Sequence, residues 1–149
     1  MNTIGIFPGS FDPFTKGHEA VVKKAVQLVD KLYIAIGVNS TKQYLFDLDK
    51  RKAHITSLFP EIELITYSSL TVDLCKSIGA THIIRGLRDS KDFEYERSIA
   101  HMNQALYPVE TVFFLTDQHY AAINASIVRE IFKNSGTIEP FVTNSHLLV

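Results

Sequence analysis

The chain has 149 residues, 46% of them hydrophobic and 21% charged, and its net charge is −1. This composition predicts a single globular domain over 1–149 and gives no support to general binding of nucleic acid or of a membrane surface. One cysteine, Cys75, excludes an intrachain disulfide, and no stretch approaches the length of a membrane span, so we expect a cytoplasmic protein.

Short apolar runs alternate along the chain with segments of helical periodicity. The runs are rich in β-branched and aromatic residues and predict buried parallel strands at 3–7, 32–38, 62–66, 82–84 and 111–115. The segments between them predict helices at 17–29, 48–59, 69–78, 91–106 and 124–134. This alternation predicts an α/β fold: a Rossmann-like five-stranded parallel sheet in the order 3-2-1-4-5, with helices on both faces. A ligand crevice is then expected where strands 1 and 4 diverge, at their carboxyl ends.

Residues at the predicted helix ends support these assignments. Thr15 and Asp47 are expected to cap the first and second helices, and Gly79 follows the third as a C′ residue. The last helix is expected to begin at a cap formed by Asn124 or Ser126.

The loop after the first strand reads GSFDPFTKGH, residues 9–18. It has neither the G-x-G-x-x-G of dinucleotide-binding folds nor the Gly-Lys-Ser/Thr ending of a P-loop. Gly9 and Gly17 allow a ligand to approach the backbone closely, and the following helix N-terminus favours anions. We therefore predict that His18 lies at a phosphate site rather than being a satisfied surface or core histidine, and its role as neutral donor or cation stays open.

Cationic side chains follow other strands. Arg85 and Arg88 in RGLRD (85–89) can face one crevice, and their planar guanidinium groups suit phosphate; the alternative is a pair of surface salt bridges. Lys42 is the only cation in its loop, and the alternative is a solvated surface lysine. Arg129 lies one turn into the last helix, where a plain amphipathic helix is the alternative.

These loops lack a G-x-S-x-G nucleophile elbow and clustered carboxylates for a metal hydrolase. Phosphoryl or nucleotidyl transfer needs positioning and electrostatic stabilisation more than a covalent partner. Transfer of this kind therefore fits the loops best.

Two stretches resemble a known family. GSFDPFTKGH resembles the G-[ST]-F-D-P-x-T-x-G-H signature of the nucleotidylyltransferase superfamily, and IIRGLRDSKDFEYERSIAHMNQAL (83–106) resembles the corresponding part of bacterial phosphopantetheine adenylyltransferases. The resemblance extends from the first strand through the last predicted helix. It implies adenylyl transfer from ATP to 4′-phosphopantetheine, giving dephospho-coenzyme A and pyrophosphate, in coenzyme A synthesis. It also implies a Mg²⁺ ion that is held mainly by the phosphates of ATP, and it assigns no residue of the chain as a metal ligand. The implied oligomeric state is a homohexamer.

The mechanism that the resemblance implies is in-line attack by an acceptor phosphate oxygen on the α-phosphorus of ATP, without a general base. It implies catalytic roles for His18, Lys42 and Arg88. The residues implied to bind the acceptor are Ser10, Lys42, Leu70, Thr71 and Arg85. The residues implied to bind ATP are Ser10, Phe11, His18, Gly86, Leu87, Arg88, Glu96, Tyr120, Ala121, Ala122, Ile123, Asn124, Ala125 and Ser126.

Four positions depart from the family pattern. Ser10 stands where threonine is common and keeps the hydroxyl, whereas Phe7 stands where tyrosine is frequent and loses a polar group. The stretch INAS (123–126) lacks two hydroxyls of the family's Ile-Ser-Ser-Ser, so backbone contacts to phosphate are expected to matter more there.

Two other functions stay open on the sequence. A related enzyme could use another acceptor, nicotinamide mononucleotide or glycerol phosphate, although DFEYE (92–96) argues against both. A non-catalytic nucleotide-binding module would keep the crevice without turnover. The presence of His18, Lys42, Arg85 and Arg88 together argues against such a module, which needs fewer of them.

Overall fold

One parallel sheet organises the fold, with its strands in the order β3-β2-β1-β4-β5. In the computed structural model, which describes residues 2–149, the strands are β1 Ile4–Gly9, β2 Lys31–Gly37, β3 Glu63–Tyr67, β4 His82–Leu87 and β5 Glu110–Leu115. The helices are α1 Lys16–Ala25, α2 Leu48–Leu58, α3 Thr71–Ile78, α4 Ser90–Leu106 and α5 Ala125–Lys133, with single 3₁₀ turns at Gln118–Tyr120 and Ser145–Leu147. The predicted five-stranded Rossmann-like sheet is confirmed.

Helices cover both faces of the sheet, as predicted. Because side chains alternate along a strand, Phe7 and Ile34 pack with α1 and α2, whereas Ile6 and Ala35 pack with α3. Cys75 lies in the second of these clusters, where burial raises the pKa of its thiol to about 11. It is therefore a small core residue and not a nucleophile.

The predicted caps are present. Thr15 accepts a hydrogen bond from the amide of His18, and Asp47 accepts one from Lys50. Asn124, rather than Ser126, caps α5 by accepting from the amides of residues 126 and 127. Gly79 adopts a φ of +69° after α3, a conformation that favours glycine.

Two boundaries differ from the prediction by more than two residues. The first helix ends at Ala25, because residues 26–28 turn and leave Val26 45% exposed while Val29 folds back onto the core. β4 runs on through Leu87, so Arg85 and Gly86 are strand residues and not loop residues. The extension is stabilised by parallel pairing of residues 85–87 with β5, which the polar local sequence did not indicate.

The chain after α5 packs back onto the domain. Ile138, Val142 and Leu148 are buried in a cluster with Phe46 and Val128. No helix within residues 2–149 is both long and apolar enough to cross a bilayer.

Gly86 is a point of close approach between β4 and α1. A Cβ at this position would lie 2.7 Å from Cγ2 of Val21, a buried side chain of α1. We expect Gly86→Ala to lower the free energy of unfolding by about 1–3 kcal/mol through overpacking.

Gly37→Ala is the matched control, since its Cβ would meet the Tyr67 ring at an ordinary 3.8 Å. Urea denaturation at one fixed protein concentration measures both variants. Equal unfolding midpoints for the two would show that β4 and α1 can separate without cost.

Candidate active site

Two adjoining cavities open at the carboxyl ends of the strands. The large cavity, about 860 Å³, lies between the sheet and α4, and the small cavity, about 240 Å³, lies between β1, α1 and the start of α5. They share four lining residues, which are Pro8, Gly9, Ser10 and Arg85. The site therefore lies where β1 and β4 diverge, as predicted.

His18 lines the small cavity with a defined tautomer. The backbone N–H of Thr15 donates to Nδ1 of His18 over 2.9 Å, so Nδ1 must carry a lone pair. The proton of the neutral ring is then on Nε2, which leaves one N–H donor for a ligand. The capping geometry of α1 thus sets the chemistry of the imidazole, because the same two residues form the capping box.

The imidazole of His18 is held neutral. Burial is the main cause that lowers its pKa to about 3, and the guanidinium groups of Arg85 and Arg88 lower it further. Phe11 and Phe14 surround the ring with centroids 5.1 and 5.2 Å away. Of the two possibilities left open by the sequence, the neutral hydrogen-bond donor is the one that this environment favours.

Arg85 lies at the junction of the cavities and is oriented from two sides. Its Nε and Nη2 donate to the two carboxylate oxygens of Glu96, at 3.0 and 2.5 Å, and its Nη1 donates to the carbonyl of Pro8 at 2.7 Å. The Glu96 side chain is 10% exposed and the Arg85 side chain 32%, so the carboxylate is the better shielded partner of this bidentate pair. Glu96 lines the large cavity, away from His18.

Arg88 joins α4 to the loop before α5. It donates to the Asp92 carboxylate through Nε at 3.0 Å and to the carbonyl of Ile123 through Nη1 at 3.3 Å. The hydrogen bond from Arg88 lowers the pKa of Asp92. Arg88 lines neither cavity, but its guanidinium, like that of Arg85, is close enough to His18 to lower the pKa of the imidazole.

Ser10 and Lys42 meet at the shared wall. The ammonium of Lys42 donates to Oγ of Ser10 at 3.1 Å, across a separation of 32 residues in sequence. Lys42 lines the large cavity and is also exposed to solvent, so the hydrogen bond brings it to Ser10 without removing it from solvent. Leu70 and Thr71 lie further along the large cavity, where Thr71 shares a hydrogen bond with the Tyr67 hydroxyl at 3.0 Å.

The start of α5 closes the small cavity. Ala125 and Arg129 line it, and Arg129 donates to Oγ of Ser126 and to the carbonyl of Asp12, both at 2.9 Å. Leu87 is buried and lines neither cavity. Residues 120–124 also line neither cavity. Tyr120 is nevertheless near the beginning of α1, since its carbonyl would lie 4.0 Å from a Cβ at Gly17.

Gly9, the last residue of β1, and Phe11, in the loop that follows, act through packing, in addition to the ligand contacts expected from the sequence. A Cβ on Gly9 would meet the Phe11 ring at 2.8 Å, so Gly9 makes room for that ring rather than only for a ligand. Phe11 has a φ of +50° and is 4% exposed. Its ring packs edge-on against His18, which places it beside the small cavity as a wall and not as a polar contact.

Several side chains of the site were missed by sequence reasoning. Asp12 is buried and accepts hydrogen bonds from the amides of Leu45 and Phe46 at 2.8 and 2.9 Å. The far wall of the large cavity includes Asn103 and Thr111, and Oγ1 of Thr111 is buried without a hydrogen-bond partner among the described residues. Helical spacing from Glu96 could have indicated Asn103, but nothing in the sequence distinguishes Thr111 from other strand residues.

The site is rich in cations and poor in metal ligands. Within residues 2–149, no three His, Cys, Asp or Glu side chains converge as metal ligands would. Asp12, which carries the one carboxylate among the described residues of the small cavity's wall, is already engaged by two backbone amides. The arrangement is suited to holding two anionic groups side by side.

Comparison with known proteins agrees with this geometry. Residues 6–131 match the cytidylyltransferase-like family. The chain is 48% identical over 134 residues to a phosphopantetheine adenylyltransferase of Flavobacterium psychrophilum, covering 88% of this chain and 89% of that protein. It is 47% identical over 143 residues to a protein of the same name from Flavobacterium johnsoniae, covering 94% of each.

Among solved structures, the chain is similar to a bifunctional NMN adenylyltransferase/ADP ribose pyrophosphatase from Francisella tularensis. The TM-score is 0.73 at 20% identity, and the match covers 95% of this chain and 45% of that one. At this identity the likeness supports the fold alone.

The environment of His18 predicts an unusual titration. We expect its ring to stay neutral, with the proton on Nε2, down to about pH 4, because its pKa is lowered from 6.5 to about 3. The unfolded chain takes up this proton near pH 6.5, so the free energy of unfolding falls as the pH drops from about 6.5 towards 3.

Long-range ¹H–¹⁵N correlation spectra across this pH range measure both the charge and the tautomer. His18→Gln, which cannot take up a proton there, should lose part of the acid sensitivity of unfolding. A ring that becomes cationic near pH 6 would contradict this account of the site.

Proposed function

Since the chain belongs to the phosphopantetheine adenylyltransferase family, within the cytidylyltransferase-like proteins, we propose that it transfers the adenylyl group of ATP to 4′-phosphopantetheine. The products are dephospho-coenzyme A and pyrophosphate, in coenzyme A biosynthesis. The observation that carries the proposal is the pair of adjoining cavities, which share Ser10 and the cationic side chain of Arg85 on their common wall.

The acceptor phosphate would bind at the junction of the cavities. Lys42 and Arg85 offer positive charge there, and Ser10 offers a hydroxyl. A phosphate monoester is already largely dianionic near neutral pH, with a second pKa of about 6, so its oxygen needs no general base to attack. Proximity and orientation are then the main contributions of this side of the site.

The α-phosphate of ATP would lie in the small cavity against Nε2 of His18. A neutral donor adds no charge in the ground state, and its hydrogen bond strengthens as negative charge builds on the phosphorus group in the transition state. His18 therefore acts as a preorganised donor and not as an acid or base. The leaving pyrophosphate would be stabilised by the α5 N-terminus together with Arg88 and Arg129.

We also propose Mg²⁺ as the cofactor, held mainly by the phosphates of ATP. The walls support this, because the carboxylates of Asp12 and Glu96 that line them are engaged by backbone amides and by Arg85 and do not form a carboxylate cage. When bound, the ion would neutralise charge on the leaving group, while the chain's own residues orient the two phosphates.

The large cavity suits the pantetheine arm. Its walls combine apolar side chains, such as Leu70 and Ile99, with the polar groups of Asn103 and Thr111. A chain of methylene and amide groups has the same alternation of apolar and hydrogen-bonding character. A volume of about 860 Å³ is in the range of small-molecule sites.

We further propose that the enzyme is a cytoplasmic homohexamer. Exposed apolar side chains of α4 support self-association: Met102 and Leu106 are 71% and 58% exposed, and Tyr95, which also lines the large cavity, is 70% exposed. Surfaces of this kind often mark interfaces between proteins.

The function is tested by pyrophosphate release from ATP and Mg²⁺. We expect release that depends on added 4′-phosphopantetheine and not on nicotinamide mononucleotide or glycerol phosphate. His18→Ala should lower kcat by about 10²–10³-fold, the usual effect of losing one preorganised donor.

His101→Ala is the matched control, since His101 is an exposed histidine of α4 that lines neither cavity. It should retain the activity of the parent chain. Turnover with another acceptor would show that the substrate is not 4′-phosphopantetheine. Absence of turnover with all three acceptors would favour a non-catalytic binding module. An unchanged kcat in His18→Ala would remove this histidine from the mechanism.

The unpartnered hydroxyl of Thr111 gives a second prediction. If it binds a polar group of the pantetheine arm, Thr111→Val should raise KM for 4′-phosphopantetheine about 3- to 10-fold, the value of one hydrogen bond. KM for ATP should not change. Stability should be equal or higher, because the variant removes a buried polar atom that has no partner among the described residues.

Thr137→Val, at an exposed threonine of the C-terminal segment, controls for the substitution itself. Initial rates with each substrate varied in turn provide the two KM values. An acceptor KM equal to that of the parent would show that the arm does not reach Thr111.

A further inference from the structure

Arg51 is a buried cation outside both cavities. It lies in α2, is 2% exposed, and has no carboxylate within 4.0 Å among residues 2–149. A buried charge without an ionic partner is unfavourable unless other groups compensate it, and a residue that served packing alone would more simply be apolar. Packing in the core therefore does not by itself explain why an arginine is buried at this position.

Two carbonyl groups and an aromatic ring hold the guanidinium. Nη1 donates to the carbonyl of Ser10 at 2.8 Å, and Nε donates to the carbonyl of Phe46 at 3.0 Å. Its carbon Cζ lies 4.2 Å from the centroid of the Tyr44 ring. All of these partners stabilise a positive charge without neutralising it.

The same partners lead directly to the acceptor side of the site. Lys42 lies 5.4 Å from the Tyr44 ring centroid and donates to Oγ of Ser10 at 3.1 Å. Arg51, Ser10, Lys42 and Tyr44 thus form a closed ring of contacts, which we call the Arg51 ring. Two of its four members are the groups placed on the acceptor phosphate above.

The backbone around the Arg51 ring is fixed independently. The Asp12 carboxylate accepts from the amides of Leu45 and Phe46, and the Tyr44 hydroxyl donates to the carbonyl of Gly37 at 3.3 Å. These bonds hold Tyr44 and residues 45–46 but not the carbonyl of Ser10, which is oriented by the guanidinium of Arg51.

We propose that Arg51 is a positioning residue for the acceptor phosphate. It fixes the carbonyl of Ser10 and the ring of Tyr44, and through them the hydroxyl of Ser10 and the ammonium of Lys42. Its uncompensated charge also favours a dianion at the neighbouring site. The inference rests on the proposed function, since it assigns a role toward the acceptor of that reaction.

The test separates the two substrates. In Arg51→Met we expect KM for 4′-phosphopantetheine to rise roughly 10- to 100-fold, as for loss of a charge-assisted contact, while KM for ATP changes by less than about twofold. Arg51→Lys keeps the charge but not the fork, and should show an intermediate acceptor KM.

Arg97→Met is the matched control, because it removes the same charge from an exposed position of α4. It should leave both KM values unchanged. A role confined to stability would lower the unfolding temperature of Arg51→Met and change neither KM, or both equally, and either result would overturn the proposal.

Two further measurements keep the proposal falsifiable. If Arg51→Met does not fold, Tyr44→Leu tests the same ring of contacts and should also raise the acceptor KM alone, with Tyr44→Phe much closer to the parent. If the parent chain does not use 4′-phosphopantetheine, the proposed function fails by itself. Calorimetric titration with inorganic phosphate then decides the role of Arg51, and equal affinity in parent and Arg51→Met would overturn it.

Discussion

One hydrogen bond, from Nη1 of Arg85 to the carbonyl of Pro8, joins two strands at the point where their pairing stops. β1 and β4 are paired only at Gly5 with His82 and at Ile6 with Ile83. Beyond these residues the strands diverge, and a side chain takes the place of the ladder bonds. The divergence opens the crevice, and the Arg85 guanidinium supplies the charge at its centre, so one contact both bridges the diverging strands and orients the central cation of the site.

The basic groups of the site differ in their hydrogen-bond partners and in their surroundings, and this difference determines which of them carry charge. Arg85 has most of its donors committed to Glu96 and Pro8, which fixes the direction of the remaining ones. His18 receives no carboxylate and is surrounded by phenylalanine rings, so burial keeps it neutral. Charge is thus kept on guanidinium and ammonium groups, while the imidazole contributes a directed N–H. This division suits a reaction in which phosphate groups must first be held together and then stabilised as charge shifts.

The sequence predicted the architecture because periodicity is a local property that the sheet and helices share. It placed His18, Arg85 and Lys42 at one crevice because parallel strands end at one edge. It could not predict that β4 continues through Arg85 and Gly86, since their strand conformation depends on pairing with β5. Arg51 was also beyond its reach: in the local sequence DKRK, residues 49–52, it looks like one more exposed cation, and only the tertiary contacts distinguish it.

The opening loop shows how a short motif acts through packing. Gly9 lacks a side chain where the Phe11 ring lies, and Phe11 adopts a left-handed φ that costs about 1–2 kcal/mol for such a residue. That conformation brings the ring against His18, while Thr15 fixes the other side of the imidazole through Nδ1. Phe11 and Thr15 need not touch a ligand themselves. They nevertheless determine the tautomer, the charge and the orientation of the His18 ring. Preorganisation of this kind carries a catalytic advantage because the donor has little left to reorganise when the phosphorus group becomes more negative.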